Sequence, residues 1–305
     1  MRQWLLTGVI AGLSALTLAA QSGYVPERVY ETRRRAFGDF ETMLADIATA
    51  DIVFVGEQHD DPNTHRLELA ILEGLARRQA NVTLSLEMFE RDAADILDHF
   101  QMGHVEEEDF LKVSRPWPRY QTDYKPLVDF AIEKTWPVVA ANVPRPIASE
   151  VAKGGREVLA AKSAEERKLF AADLVCPTTD DYFKRFAEAM GGHPGPDDTA
   201  KRQTTERYYF SQCLKDETMA ESIAQAVAAN AAAGTKRTVV HMNGAFHSDF
   251  RQGTVERVRR RLPRTRIVVI TILPVADLDG LSVSGDERKR GDYLVYTTRP
   301  SKPAT

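Results

Sequence analysis

Two cysteines in 305 residues are too few to staple a small scaffold, and Cys176 and Cys213 show no zinc or iron–sulfur spacing. Two readings stay open for them, a structural disulfide or a pair of buried thiols, and nothing supports a redox role. Excess positive charge is also missing. A formal net charge of -4 removes the basic footprint that holds nucleic acid. The one basic run, RVRRRLPRTR at 257–266, reads as the exposed face of a helix near a strand. The long apolar run LLTGVIAGLSALTL follows MRQW at the N-terminus and is too short for a comfortable membrane anchor.

What is present describes an exported globular protein. Residues 1–20 have the layout of a secretory signal, with small residues at Leu18-Ala19-Ala20 for cleavage. That stretch also resembles a lipoprotein cleavage box, which requires Cys next; Gln21 stands there instead, so no lipid anchor is expected. The expected location is the periplasm or the medium. Apolar residues at 43% and charged residues at 28% are ordinary for a soluble fold, and the length suits one large or two modest domains.

Short β-branched runs alternate with helical patterns. Residues 51–55, 82–86, 137–141, 237–242 and 266–273 read as strands, and 292–297 as an edge strand. Near-continuous apolar runs, rather than strict alternation, indicate strands covered on both faces. Residues 64–78 carry apolar side chains at helical spacing, and Asp61-Pro62 is a good opening for that helix. The expected fold is therefore α/β, a mostly parallel open sheet flanked by helices. Its core covers 36–145 and 236–298, and a helical insertion covers 146–235, with helices at 164–174 and 206–233 and a loop at 191–198. A disordered tail at 299–305 completes the division.

The chemistry gathers where strands end. The first strand leads into Gly56-Glu57-Gln58-His59, the second into Glu87-Met88-Phe89-Glu90-Arg91, the third into Asn142-Val143-Pro144-Arg145 and the fourth into Asn243-Gly244-Ala245-Phe246-His247. Carboxyl ends of parallel strands share one edge, and ligands bind in the crevice there. Glu57, His59, Glu87 and His247 would then meet, as ligands of one divalent metal or as acid–base groups. Arg145 would orient an anionic substrate group; alternatively Glu87 pairs with Arg145 and closes the sheet edge. His65, inside the following helix, reads as solvent-facing, with ligation as the alternative, and His241 as core.

Taken together, these residues resemble the ChaN-like haem-binding family of the Tiki superfamily. Gly56-Glu57-Gln58-His59-Asp60 with His65 carries the likeness, as do the Glu87 to Arg91 stretch, Trp117 with Tyr120 and Tyr124-x-Pro126, and Asn142-x-Pro144-Arg145. Gln212-x3-Asp216-x2-Met219-Ala220 and Gly244-x2-His247 continue it, so the likeness runs from about residue 48 to 263. The resemblance implies an exported bacterial protein of iron or haem uptake, binding haem between protomers and so forming a homodimer. Tyr120, Tyr124 and His193 are then the candidate haem ligands. Related Tiki proteins imply an alternative, a metal-dependent peptidase or esterase using the two Gly-x-x-His turns. A third possibility is an interaction scaffold that keeps these motifs for structural reasons.

Overall fold

The computed structural model describes residues 24–78, 80–192 and 198–299. The leader-like segment 1–20, His193 and all of the expected tail except Arg299 lie outside them. In chain order the elements are β1 (Glu27–Glu31), β2 (Ala36–Gly38), α1 (Phe40–Ile47), β3 (Ile52–Glu57), α2 (Pro62–Arg77) and β4 (Val82–Glu90). Next come α3 (Ala94–Gln101), α4 (Glu107–Ser114), α5 (Lys125–Glu133), β5 (Val138–Asn142), α6 (Arg145–Gly154), α7 (Asp181–Ala189) and α8 (Thr199–Ala232). The chain closes with β6 (Thr238–Gly244), α9 (Gly253–Arg261), β7 (Ile267–Val275) and β8 (Tyr293–Thr298).

Eight strands form one sheet in the order β2-β1-β8-β7-β3-β6-β4-β5, with β3 to β8 pairing in parallel and the β1–β2 hairpin antiparallel. The mostly parallel α/β fold expected from the strand pattern is the fold observed. β3 shows why its sequence is apolar throughout. Val53 and Val55 face a layer containing Leu67, Ile71 and Leu75 of α2, while Ile52 and Phe54 face Ala220, Ile223 of α8 and Val255, Val258 of α9. A strand covered on both faces cannot alternate with polar residues. Asp61 caps α2, accepting the Thr64 backbone N–H at 3.0 Å, and Pro62 opens the first turn.

Three local expectations fail for identifiable reasons. β8 is not an edge strand, because β1 pairs along it from Glu27↔Thr297 to Glu31↔Tyr293. The sequence ERVYE carries three charges in five residues and gives little strand signal. Residues 164–174 are not a helix beyond a short turn at Glu166–Leu169. The following chain is a strap along α8, held by Thr218 Oγ1 and Glu221 accepting the backbone N–H groups of Ala171 and Ala172, and by Glu217 accepting that of Val175. A Cys176–Cys213 disulfide ties the strap to α8. Finally, Arg257 in the basic run is buried, with its guanidinium 3.3 Å from Glu217 and beside Cys213.

Between β5 and β6 the described residues hold helices and no strand. α8 is long enough to serve two purposes. Its C-terminal half covers the sheet, and its N-terminal half joins α6 and α7 around cores containing Leu214 and Tyr209.

Candidate functional site

The central strands bring the chemistry together. β6 lies between β3 and β4, so Gly244 at its end has Glu57 of β3 as its register partner on one side, and on the other its backbone N–H reaches the Glu87 carboxylate of β4. A residue without a side chain matters here. A Cβ on Gly244 would sit 2.6 Å from His59 Nε2 and 3.7 Å from Glu87 Oε2, so the glycine leaves the space in which imidazole and carboxylate approach. Above these strand ends opens a crevice of about 910 Å³, at the upper end of the usual range for ligand sites.

Four of the expected site residues, Glu57, His59, Glu87 and His247, line this one crevice. They pair off instead of converging on one point. Glu57 is buried; its Oε1 accepts a hydrogen bond from His59 Nδ1 and another from the Tyr124 hydroxyl at 2.8 Å. The His59 side chain is 49% exposed, its ring edge-to-face with Trp117 at 5.0 Å between centroids. Burial opposes a charge on His59, but Glu57 and then Glu87 outweigh it and raise its pKa above 6.5.

The second group forms the floor. His247 is buried between two carboxylates, with Nδ1 2.8 Å from Asp216 Oδ1 and Nε2 3.3 Å from Glu87 Oε1. Asp216 also accepts from Tyr182 at 2.6 Å and Thr254 at 2.8 Å, and Glu87 from the Gly244 backbone at 2.7 Å. Burial works against the imidazolium, yet Glu87 and Asp216 hold the His247 pKa up at about 10. For Glu87, burial pushes upward and His247 prevails, leaving it at about 2. The His247 ring thus bridges Asp216 and Glu87 across the floor. The donor atoms of the expected metal set Glu57, His59, Glu87 and His247 do not all lie within 4.8 Å of one another, so the set does not form one coordination shell.

Among the described residues, the three metal-ligating groups whose donor atoms all lie within 4.8 Å of one another are Glu57, His65 and Glu68. His65 is buried, not solvent-facing, with Nδ1 2.9 Å from Glu68 Oε2 and 3.7 Å from Glu57 Oε2. Burial opposes its charge too, but Glu68 and then Glu57 raise its pKa to about 9. Burial and the neighbouring Glu57 push Glu68 well above the ordinary carboxyl value. The sequence held a signal for this cluster: His65 and Glu68 are three apart on one helix and so share a face. His241, read as core, is fully buried against Ser85, and burial lowers its pKa to about 4.

Three expectations for ligand contact are corrected. Arg145 does not enter the crevice; it pairs with Glu90, which Arg115 also holds at 2.9 Å, and it donates to the Arg115 carbonyl. Nor does it close the edge through Glu87. Tyr120 and Tyr124 are both buried. Tyr120 packs against Phe89 and Phe110, and the Tyr124 hydroxyl is spent on Glu57, so neither presents an oxygen to a ligand in the crevice. The cations on the crevice wall are ones that sequence reasoning missed, Arg185, Lys215 and Arg290. Arg290 pairs with Asp249 at 2.9 Å. Arg185 donates to the Phe246 carbonyl at 2.8 Å and lies over the Phe246 ring; neither it nor Lys215 forms an ion pair among the described residues.

Comparison with known proteins agrees with the fold. A curated relative, the chloroplastic protein RETICULATA-RELATED 5 of Arabidopsis thaliana, is 24% identical over 249 residues, which is 77% of this chain. The chain spans about a third of that relative's length. The solved structure titled for cofacial haem binding to ChaN of Campylobacter jejuni superposes with a TM-score of 0.64 at 15% identity, covering 89% of this chain and 97% of that one. A weaker likeness, TM-score 0.45 at 14% identity, covers 90% of this chain and 83% of a mutant erythromycin esterase EreC in its open conformation. The profile of the family described as "Haem-binding uptake, Tiki superfamily, ChaN" matches residues 43–258, more than half of the chain. The chain belongs to that family.

Proposed function

We propose that this chain binds haem in the crevice through His59 Nε2 and serves bacterial iron or haem uptake outside the cytoplasm. The observation that carries the reading is the state of His59. Its Nδ1 is committed to the buried Glu57 carboxylate, while its Nε2 has no hydrogen-bond partner among the described residues and faces the open volume beside Gly244.

The residues present fit a haem group. When bound, haem would supply an iron that takes a nitrogen or oxygen donor from the protein. Glu57 accepts the Nδ1 proton and so leaves the Nε2 lone pair for coordination, the usual role of a carboxylate behind a ligating histidine. Trp117 fixes the imidazole ring edge-to-face. Phe186, Met190, Phe246 and Phe250 offer apolar surface to a macrocycle, and Lys215 and Arg185 offer positive charge to its carboxylates. Two features support an oxidising, extracytoplasmic location: the leader-like residues 1–20 and the Cys176–Cys213 disulfide. The test is a hemin titration of purified apo-protein followed in the Soret band. Stoichiometric saturation with a shifted band is expected. Unperturbed hemin at equimolar protein removes the reading.

A second reading is hydrolysis, favoured by the same Glu57–His59 dyad, because an imidazole oriented by a carboxylate and open on Nε2 can take a proton from water. Lys215 and Arg185 would then hold an anionic substrate group. Turnover of an ester or peptide panel that His59→Ala abolishes would support it. No turnover on any of the panel, with hemin binding intact, rejects it.

A further inference from the structure

Behind the crevice wall, around the far oxygen of the Glu57 carboxylate, lies a polar cluster of which haem binding uses only Glu57. Glu57 comes from the end of β3; His65 and Glu68 come from adjoining positions on one face of α2. All three side chains are buried. Among the described residues, Glu57 Oε2 and Glu68 Oε1 find no hydrogen-bond donor beyond a proton that the two carboxyls share with each other. Buried carboxylate oxygens are rarely left so, because each loses its water without replacement. Two adjoining carboxylates also cannot both stay charged in the interior without a proton or a cation between them.

We propose that Glu57 Oε2, His65 Nδ1 and Glu68 hold a divalent first-row cation of the zinc or manganese kind, in an inner site separate from the haem crevice. The spacing suits the task. Donors about 2.1 Å from a tetrahedral ion stand roughly 3.4 Å apart, and His65 Nδ1 lies 2.9 Å from Glu68 Oε2 and 3.7 Å from Glu57 Oε2. The outer shell is also in place. His65 Nε2 faces Asp123 Oδ2 at 3.5 Å and the His59 carbonyl at 3.4 Å, so its proton belongs there and the Nδ1 lone pair turns toward the carboxylates. Asp123 is itself held by Arg119 at 2.7 Å and by the Thr122 hydroxyl at 2.9 Å. Two carboxylates and one imidazole are a donor set for this class of ion. Glu57 connects the sites, with Oε1 on the crevice histidine and Oε2 on the inner cluster.

The experiment uses full-length protein with no haem added, loaded with ZnCl2 or MnCl2, dialysed, and assayed for metal per chain with affinity by calorimetry. Wild type should retain one ion. Glu68→Gln places an amide donor where a shared proton would sit, so it should keep a wild-type circular dichroism spectrum while losing the ion. Asp123→Asn, outside the ligand shell, should weaken binding roughly 10- to 100-fold. The inference is overturned if wild type retains no stoichiometric ion, if Glu68→Gln retains it, or if Asp123→Asn leaves affinity unchanged. Should Glu68→Gln fail to fold, the Asp123→Asn affinity decides. Failure of hemin to bind would leave all of these readouts untouched.

Discussion

Replacing His247 with Ala should unfold the crevice floor more than any change at the crevice rim. The substitution removes the cation from between Asp216 and Glu87, at 2.8 and 3.3 Å, and leaves two buried carboxylates. Removing one partner of a buried ion pair typically costs about 3–5 kcal/mol. Asp216 keeps the Tyr182 and Thr254 hydroxyls, whereas Glu87 keeps only the Gly244 N–H among these contacts, so the expected loss is near the lower end, about 3 kcal/mol. Urea unfolding of wild type and His247→Ala measures it. Adding Glu87→Gln to the variant removes the less supported charge and should recover about 1 kcal/mol or more. The pH dependence has a fixed sign. The His247 pKa is raised from 6.5 to about 10, so its contribution is full below 6.5 and is lost as pH rises through 10. The Glu87 pKa is lowered from 4.5 to about 2, so its contribution is full above 4.5 and is lost as pH falls through 2. The wild-type advantage should therefore peak between 4.5 and 6.5 and shrink on both sides. A difference below about 1 kcal/mol, the scale of one neutral hydrogen bond, would refute the reasoning, as would a gap that does not change with pH.

Gly244→Ala puts a methyl 2.6 Å from His59 Nε2 at a backbone φ of -54° that any residue adopts, so it should weaken hemin binding at least roughly tenfold by displacing the ring. Circular dichroism should show the fold retained. Tyr124→Phe removes the 2.8 Å donor to buried Glu57 and should cost about 1–3 kcal/mol by urea unfolding. Replacing both Cys176 and Cys213 with Ser opens a loop with a sequence separation of 37 and should cost about 3–4 kcal/mol.

The central strands were legible because burial on both faces leaves no room for polar alternation, as Ile52 to Val55 show. Strand ends that share an edge also made the meeting of Glu57, His59, Glu87 and His247 readable. What failed was long-range. The β1 hairpin contributes backbone hydrogen bonds to β8 through a charged segment, and pairing of that kind leaves little trace in side-chain pattern. The strap after Leu169 exchanges helical bonds for side-chain partners on α8, which no local propensity announces. His65 was misread as exposed although Leu72, seven residues on, lies on its face of α2 and is fully buried. Polarity was taken as a sign of solvent where it marked a buried network. Arg145 was assigned to the crevice because it follows a strand end, but Glu90, three residues beyond the crevice-lining Glu87 on β4, claims it.

The central claim is that one imidazole, His59, offers its free nitrogen to haem iron. Resonance Raman spectroscopy of the reduced haem complex tests it most directly, because an iron–histidine stretching band reports that bond. Wild type should show the band, His59→Ala should lack it, and added imidazole should restore it. An identical band in wild type and His59→Ala would contradict the account.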